Sequence, residues 1–587
     1  VALAVLLVAA WLAYHPGLSG DFLFDDFGNL PAIGATGPIH HWATFWRYLT
    51  SGNADPTGRP LTLLSFLIDA RDWPASPYPF KVTNVLLHLL NGALLCTVLL
   101  RLGQALKLEA LQARIAALFG AGAWLLHPLL VSTTLYVVQR EAMLPASFVL
   151  LGMLGWIAAR DALAQGHRRR GWFGMIAAAW GCTVLALLCK GNGALLPLLL
   201  LLVEWILLGP SRPMPSHVLQ RDVRRASLLL LALPSVLLVL WMLKMIPGLV
   251  TAAAGIRDWT IGQRMLSEPR VLLDYLHLLF VPQAHSTGLF NDAFPVSTGL
   301  LHPWTTLPCV LGVPALIAFA FAVRKRHPAI ALALLFFFAG HLLESTWLPL
   351  ELYYEHRNYL PAMLLFWPIG IGLGMPGGLR WLRQALAVAV LVLLGALTWQ
   401  RASLWGDAYL QARVWAAINP DSARAQASAA QYDLAHGRPR IAAARLRNAL
   451  PAHPDDLQIP VNLIGAECRM ASLRPQSLQA LRHALATSKV GGTLGFNWFN
   501  EALDMAAHRT CKGLDFATIQ GLLDAAAANP DWRAYKGSRQ DLAHLQGMLD
   551  LAQGQPAQAL AEFDRALAIT PRPDTALEQA AMLGSRG

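Results

Sequence analysis

Eleven apolar runs divide the first 403 residues of this 587-residue chain, near 1–14, 82–100, 115–135, 142–159, 172–189, 193–209, 227–246, 304–323, 328–346, 360–376 and 385–400. Roughly 20 apolar residues in a helix cross the ~30 Å hydrocarbon core of a bilayer, and only a helix or a closed barrel satisfies its backbone there. The runs therefore predict an all-α, polytopic membrane bundle of about 11 transmembrane helices. A content of 55% hydrophobic and 14% charged residues excludes an ordinary soluble enzyme. The opening VALAVLLVAAWLAY has no charged flank before it and no A-x-A site after it, so it is expected as a retained first helix. RMLSEPRVLLDYLHLLF carries too many charges to span easily and is expected to be an interfacial or re-entrant helix.

Loop charge orients the bundle. One alternate set of loops holds Arg101, Lys107 and Arg114, then Arg160 with HRRR, then Arg212 with RDVRR, then Arg324 to Arg326, then Arg380 and Arg383. Basic loops remain cytoplasmic. The opposite set holds Asp25, Asp26, Asp69, Asp72, Glu141, Asp258, Glu268, Asp274, Asp292, Glu351 and Glu355, so the chemistry is expected on the extracytoplasmic face. The formal charge of +11 sits in short loops, which argues against nucleic acid as a partner.

From about Trp405 the chain turns alanine-rich and helical. Pro420 and Pro454 lie 34 residues apart with Gly437 halfway, and Gly554 precedes Pro571 by 17. This is the rhythm of tetratricopeptide repeats. The domains are accordingly 1–403, in the membrane, and 404–587, an extracytoplasmic tetratricopeptide-like solenoid. The stretch GGTLGFNWFNEALDMAA fits the repeat poorly. Cys468 and Cys511 can pair in an oxidising compartment, whereas Cys96, Cys182, Cys189 and Cys309 read as small buried residues.

Four outward patches carry the chemistry. GDFLFDDFGNLP places Asp25 and Asp26 side by side and is followed by Arg59 in TGRPLTLLSFLID. HPLLVSTTLYVVQREAMLPA carries Arg140 and Glu141, CKGNG carries Lys190, and ELYYEHRNYLPA carries Glu355, His356, Arg357 and Tyr359. A single charged helix end usually snorkels or caps; four such loops on one membrane face suggest a site. Asn84, His88 and Asn91, at helical spacing, read as interhelical hydrogen bonding. For a lipid-linked sugar phosphate at that face, the phosphate leaves without a general acid. One carboxylate then suffices to deprotonate an acceptor hydroxyl, while Lys or Arg stabilises the charge on the departing phosphate. Two neighbouring aspartates raise the proton affinity of the pair, which suits Asp25 or Asp26 to the base role. No further ligand set accompanies them, so metal independence is expected.

The acidic pair, GRPLTLLSF, KVTNVLLHLLN, HPLLVSTTLYVVQRE, the lysine turn and YYEHRNYLP, ahead of the repeats, resemble the transmembrane-and-tetratricopeptide O-mannosyltransferases and their bacterial relatives, among them the type IV pilin glycosyltransferases. The resemblance implies a GT-C fold, a polyprenyl-phosphate-linked sugar donor, an extracytoplasmic protein acceptor such as a pilin docked by the repeats, and residence in a bacterial inner membrane. It places catalysis on Asp25 or Asp26 with Glu141, and the donor phosphate on Lys190, Arg357 and Arg140. Where relatives often have glutamate after the turn lysine, Gly191 follows Lys190 here. Two other readings share these residues: a ligase for lipid-linked oligosaccharide, and a non-catalytic envelope assembly or transport factor acting through the repeats.

Overall fold

The structure, a computed structural model, describes residues 1–52, 54–253, 257, 259–489 and 492–585. Among them there is no strand, and the chain divides into two compact units. One comprises Val1–Pro247, Gly262–Leu289 and Pro295–Ala408; the other comprises Gly248–Ile261, Phe290–Phe294 and Tyr409–Gly587. Two residues named in the sequence reading, Asp258 and Gly491, lie outside the described residues.

All eleven apolar runs are helical, but they are not equal. Among the described residues, eight helices are long and apolar enough to cross a membrane: Ala2–Ser19, Pro77–Ala105, Val137–Ala164, Arg168–Leu187, Gly191–Ser211, His217–Val250, Thr306–Val323 and Arg380–Trp405. A ninth arises if the pair Ala110–Leu125 and Pro128–Thr134, bent by 47°, is one span. The bend falls at Pro128, which has no N–H to donate to the preceding turn. His127 fixes it, its Nδ1 accepting the Leu129 N–H at 3.2 Å and its Nε2 donating to the Leu279 carbonyl at 2.9 Å.

The remaining two runs yield the shorter helices Pro328–Gly340 and Pro361–Leu373. Pro361 and Pro368 stand in the first turns of the second helix's two segments, Pro361–Leu364 and Trp367–Leu373, where a helix needs no backbone donor, and close approach explains Gly370, on which a Cβ would lie 2.7 Å from the Ala116 carbonyl oxygen. The charged segment forms one helix, Ile261–Phe280, and is not among the membrane-length apolar helices. Arg264 on this helix pairs with Glu268 at 2.7 Å and donates to the carbonyls of Glu344 and Thr346 at 2.6 Å each. The Arg264 guanidinium is thus satisfied by protein groups.

The second unit consists of helix-turn-helix pairs. Ala423–Ala435 and Pro439–Ala449 turn at Gly437, with φ +70°; Lys536–Ala552 and Pro556–Ile569 turn at Gly554, with φ +79°. Both glycines adopt the left-handed conformation that only glycine enters at no steric cost. Small residues allow close packing: Ala430, Ala442, Ala443 and Ala466 are buried with Leu446, Ile459 and Leu463. The stretch that fits the repeat poorly still forms a helix, Gly492–Ala507, and buries Trp498, Phe499 and Ala502 in a larger apolar cluster. A disulfide joins Cys468 to Cys511 in the same unit.

Candidate functional site

The loop between the first two spans is fixed by Asp26, the second of the adjacent pair. Asp26 is 1% exposed, and its carboxylate accepts the N–H groups of Leu23 at 2.9 Å and of Val138 at 2.8 Å. It thereby staples the loop to the segment entering the third span. Burial lifts the Asp26 carboxyl to about 7, against the pull of those two hydrogen bonds and of Lys81. Asp25, in contrast, is exposed, and its backbone N–H donates to the Tyr136 hydroxyl at 2.8 Å. The Tyr136 ring lies 6.3 Å from that of His356. The two adjacent acids therefore occupy different surroundings, one within the protein and one at its surface.

A second part of the same loop reaches an ion network. Arg59 has φ +51° after Gly58, with φ +68°, at the start of the helix Pro60–Phe66. Its Nε donates to Asp55 at 2.8 Å and its Nη1 pairs with Glu141. The other Glu141 oxygen lies 3.4 Å from Lys190 Nζ, which is also 3.2 Å from Glu344. The Gly191 N–H donates to Asp55 at 3.3 Å. Four segments distant in sequence thus deliver three carboxylates and two cations to one place. Burial by itself would raise Asp55, but hydrogen bonds from Thr57 and Arg59 outweigh it and hold the carboxyl below its ordinary range. Burial also opposes the charge on Glu344, in the turn after Pro328–Gly340, yet Lys190 and Arg357 hold its carboxyl down at about 2.

An apolar groove of 730 Å³ is lined by near sequence neighbours of Arg59, Glu141 and Lys190, though by none of the five network residues themselves. Leu61, Leu64, Leu67 and Ile68 line it from one side, Leu144 and Phe148 from another, with Cys189 next to Lys190 and with Asp69 and Arg71 at its polar part. Leu144 and Phe148 follow Glu141 by one and two helical turns on Arg140–Ala164. A larger cleft of 880 Å³, between Ala2–Tyr14 and Arg380–Trp405, is almost wholly apolar and contains no residue of the network.

The other expected site residues are committed to the protein. Arg140 is buried and pairs with Asp69 at 2.6 Å; it also donates to Asn84 Oδ1 at 2.6 Å and to the carbonyls of Ser65 and Phe80 at 2.8 and 2.9 Å. Its guanidinium lies 4.9 Å from the Phe66 ring centre, so it clamps the loop to two spans. Glu355 pairs with Arg401. Arg357 donates to the carbonyls of Leu352 at 2.9 Å and Glu351 at 2.5 Å, and lies over Tyr354. His356 is buried against Tyr354, with ring centres 4.8 Å apart, and burial, then Lys190, push its imidazole well below the usual range. The Tyr359 hydroxyl meets His88 at 3.0 Å and Asn91 at 3.2 Å deep in the bundle. Asn84, His88 and Asn91 thus make the interhelical hydrogen bonds their spacing suggests.

Sequence reasoning missed Asp55 and Glu344. Asp55 carried a faint signal, four residues before Arg59 in a proline- and glycine-bearing loop. Glu344 sits at the end of an apolar run, where an acid is costly unless paired. Among the described residues, no group of three or more His, Cys, Asp and Glu side chains is arranged to hold a metal ion.

Comparison with known proteins agrees with the resemblance seen in the motifs. No family model matches the chain, and no solved structure does. A human protein, the protein O-mannosyl-transferase TMTC4, is 28% identical over 197 residues, 31% of this chain. The matched region covers 26% of that relative's length, so this chain is similar to about a quarter of it.

Proposed function

We propose that this multi-pass membrane protein is a glycosyltransferase of the GT-C type, which moves a sugar from a polyprenyl-phosphate-linked donor to a hydroxyl of an extracytoplasmic protein such as a pilin. The observation that carries the reading is the ion network of Asp55, Arg59, Glu141, Lys190 and Glu344, together with an apolar groove lined by near sequence neighbours of Arg59, Glu141 and Lys190. An amphiphile with one phosphate between a sugar and a long apolar chain matches that juxtaposition of charge and grease. The human relative, named as an O-mannosyl-transferase, supports the class of reaction.

In the proposed step, the acceptor hydroxyl gives its proton to the Asp25 carboxylate as its oxygen bonds to the anomeric carbon. The bond from that carbon to the phosphate oxygen breaks, and polyprenyl phosphate departs with the electron pair. Lys190 and Arg59 exchange part of their pairing with Glu141 and Glu344 for the phosphate oxygens, which is where fixed cations lower the barrier most. Glu141, touching both cations, positions them. Asp26 holds the loop that carries Asp25. No metal takes part in this scheme.

The Cys468–Cys511 disulfide supports an extracytoplasmic second unit, since such bonds persist in oxidising compartments. With the basic loops on the other side, this corresponds to a bacterial inner membrane with the tetratricopeptide-like unit in the periplasm, where it docks the acceptor. The test uses purified full-length protein with an acceptor protein and either monophosphate-linked monosaccharide or diphosphate-linked oligosaccharide, read by intact mass. A gain of one sugar from the monophosphate donor is expected, unaffected by a chelator. Transfer only from the diphosphate oligosaccharide would identify a ligase instead, and no transfer from either would favour an assembly role.

A further inference from the structure

The loop between the first two spans contains a helix, Trp42–Leu49, that none of the proposed chemistry uses. Its inner side is fixed to the protein: Tyr48 is buried and its hydroxyl donates to the Leu63 carbonyl at 3.2 Å. Its outer side bares Trp42 at 71% and Trp46 at 45% exposure, with Ala43 and Arg47 between and beside them. The Trp42 ring stacks on Phe45 at 5.4 Å and meets Trp46 edge-on at 5.3 Å, so the aromatic surface is preformed.

The level of this helix relative to the spans follows from its neighbour. Pro60–Phe66, whose Leu63 carbonyl holds Tyr48, is itself hydrogen-bonded to the turn between the spans Arg168–Leu187 and Gly191–Ser211. The Leu61 N–H donates to the Leu188 carbonyl at 3.1 Å, and the Thr62 hydroxyl to the Cys189 carbonyl at 2.9 Å. A turn joining two membrane spans sits at the membrane boundary, so the helix resting on it does too. The same short helix turns Leu64 outward, and Ile68 just beyond it is 75% exposed, an apolar surface that suits acyl chains.

We propose that Trp42–Leu49 is a membrane-surface anchor, seating Trp42 and Trp46 at the boundary between headgroups and acyl chains, with Arg47 directed to lipid phosphate. Tryptophan favours this zone because its ring is apolar while its N–H needs a polar partner. A short amphipathic helix with an aromatic face and a basic residue lies in the plane of the interface. A saccharide platform is the less favoured occupant: sugar sites set carboxylates or amides beside the ring, and positions 42, 43, 46, 47 and 50 of the outer face provide none. The anchor holds the outer loop close to the membrane surface whether or not the protein transfers sugar.

The test places a photoreactive residue on this face. Full-length Trp42→p-benzoylphenylalanine protein in phospholipid nanodiscs is irradiated, delipidated and digested, and the peptide bearing residue 42 is weighed. The same substitution at Leu240, 56% exposed on the span His217–Val250, reports that lipid capture works. The expected result is a mass shift of one phospholipid at residue 42, as at residue 240. Capture at 240 without capture at 42, or capture of protein in place of lipid at 42, overturns the proposal.

Discussion

Asp26 and Asp25 are adjacent in the chain, yet their carboxyls stand in opposite surroundings. Because the Asp26 carboxyl is raised by burial from 3.8 to about 7, the folded protein binds a proton there that the unfolded chain releases. Its contribution to stability is therefore complete below about pH 4 and lost as pH rises through 7. Thermal unfolding between pH 5 and 8 should show the wild type losing stability with pH along a steeper line than Asp26→Asn, which cannot ionise. Asp25→Asn should lower transfer, read by intact mass of the acceptor, on the order of 100-fold, as loss of a general base does. Lys190→Met should abolish most turnover in the same assay and also cost stability, since buried Glu344 would lose one of the cations that compensate it. Arg140→Ala should destabilise the protein by about 3–5 kcal/mol, because Asp69 would remain buried without its cation. The distinction between Arg140 and Lys190 was invisible in sequence: both are bases at helix ends on one face, and only their partners separate a clamp from a group open to exchange. Asp55 and Glu344 escaped for the converse reason, since each acquires meaning only from a cation brought in by another segment.

At the scale of elements, hydropathy identified the eleven apolar segments that form helices, but neither the short helices Trp42–Leu49 and Pro60–Phe66 of the first loop nor which of the eleven are long. Apolarity alone does not set where a helix bends: Pro128, lacking a backbone donor, marks the break in the bent pair, whereas Pro145 and Pro314 lie inside uninterrupted spans. The charged segment was correctly separated from the membrane-length helices, because Arg264 and Glu268 require partners that lipid does not offer. In the second unit, proline and glycine spacing marked the helix pairs, whereas the helix Gly492–Ala507 departs from the repeat and is held by its tryptophan and phenylalanine. The disulfide ties this region together. Reducing Cys468–Cys511, or replacing both by serine, should cost about 2–5 kcal/mol of local stability. Hydrogen exchange on the full chain should then show lost protection in Gln458–Arg469 and in the residues around Cys511, with protection in the membrane unit unchanged.

For the whole molecule, the proposed division of labour assigns reaction to the membrane unit and acceptor docking to the second. Removing residues after 405 should weaken glycosylation of a protein acceptor more than transfer to a small hydroxyl surrogate. Equal losses in the two assays would remove the docking role. The sequence by itself determined an all-helical, multi-pass chain with a helical-pair extension, because those properties depend on local terms: apolar length and the positions of proline and glycine. Only the tertiary structure decided which acid of a neighbouring pair reaches solvent, which arginine is a clamp, and that Asp55 and Glu344 complete the network around Lys190. Those outcomes depend on desolvation and on Coulomb pairing between segments tens to hundreds of residues apart, and neither quantity exists until the helices have packed.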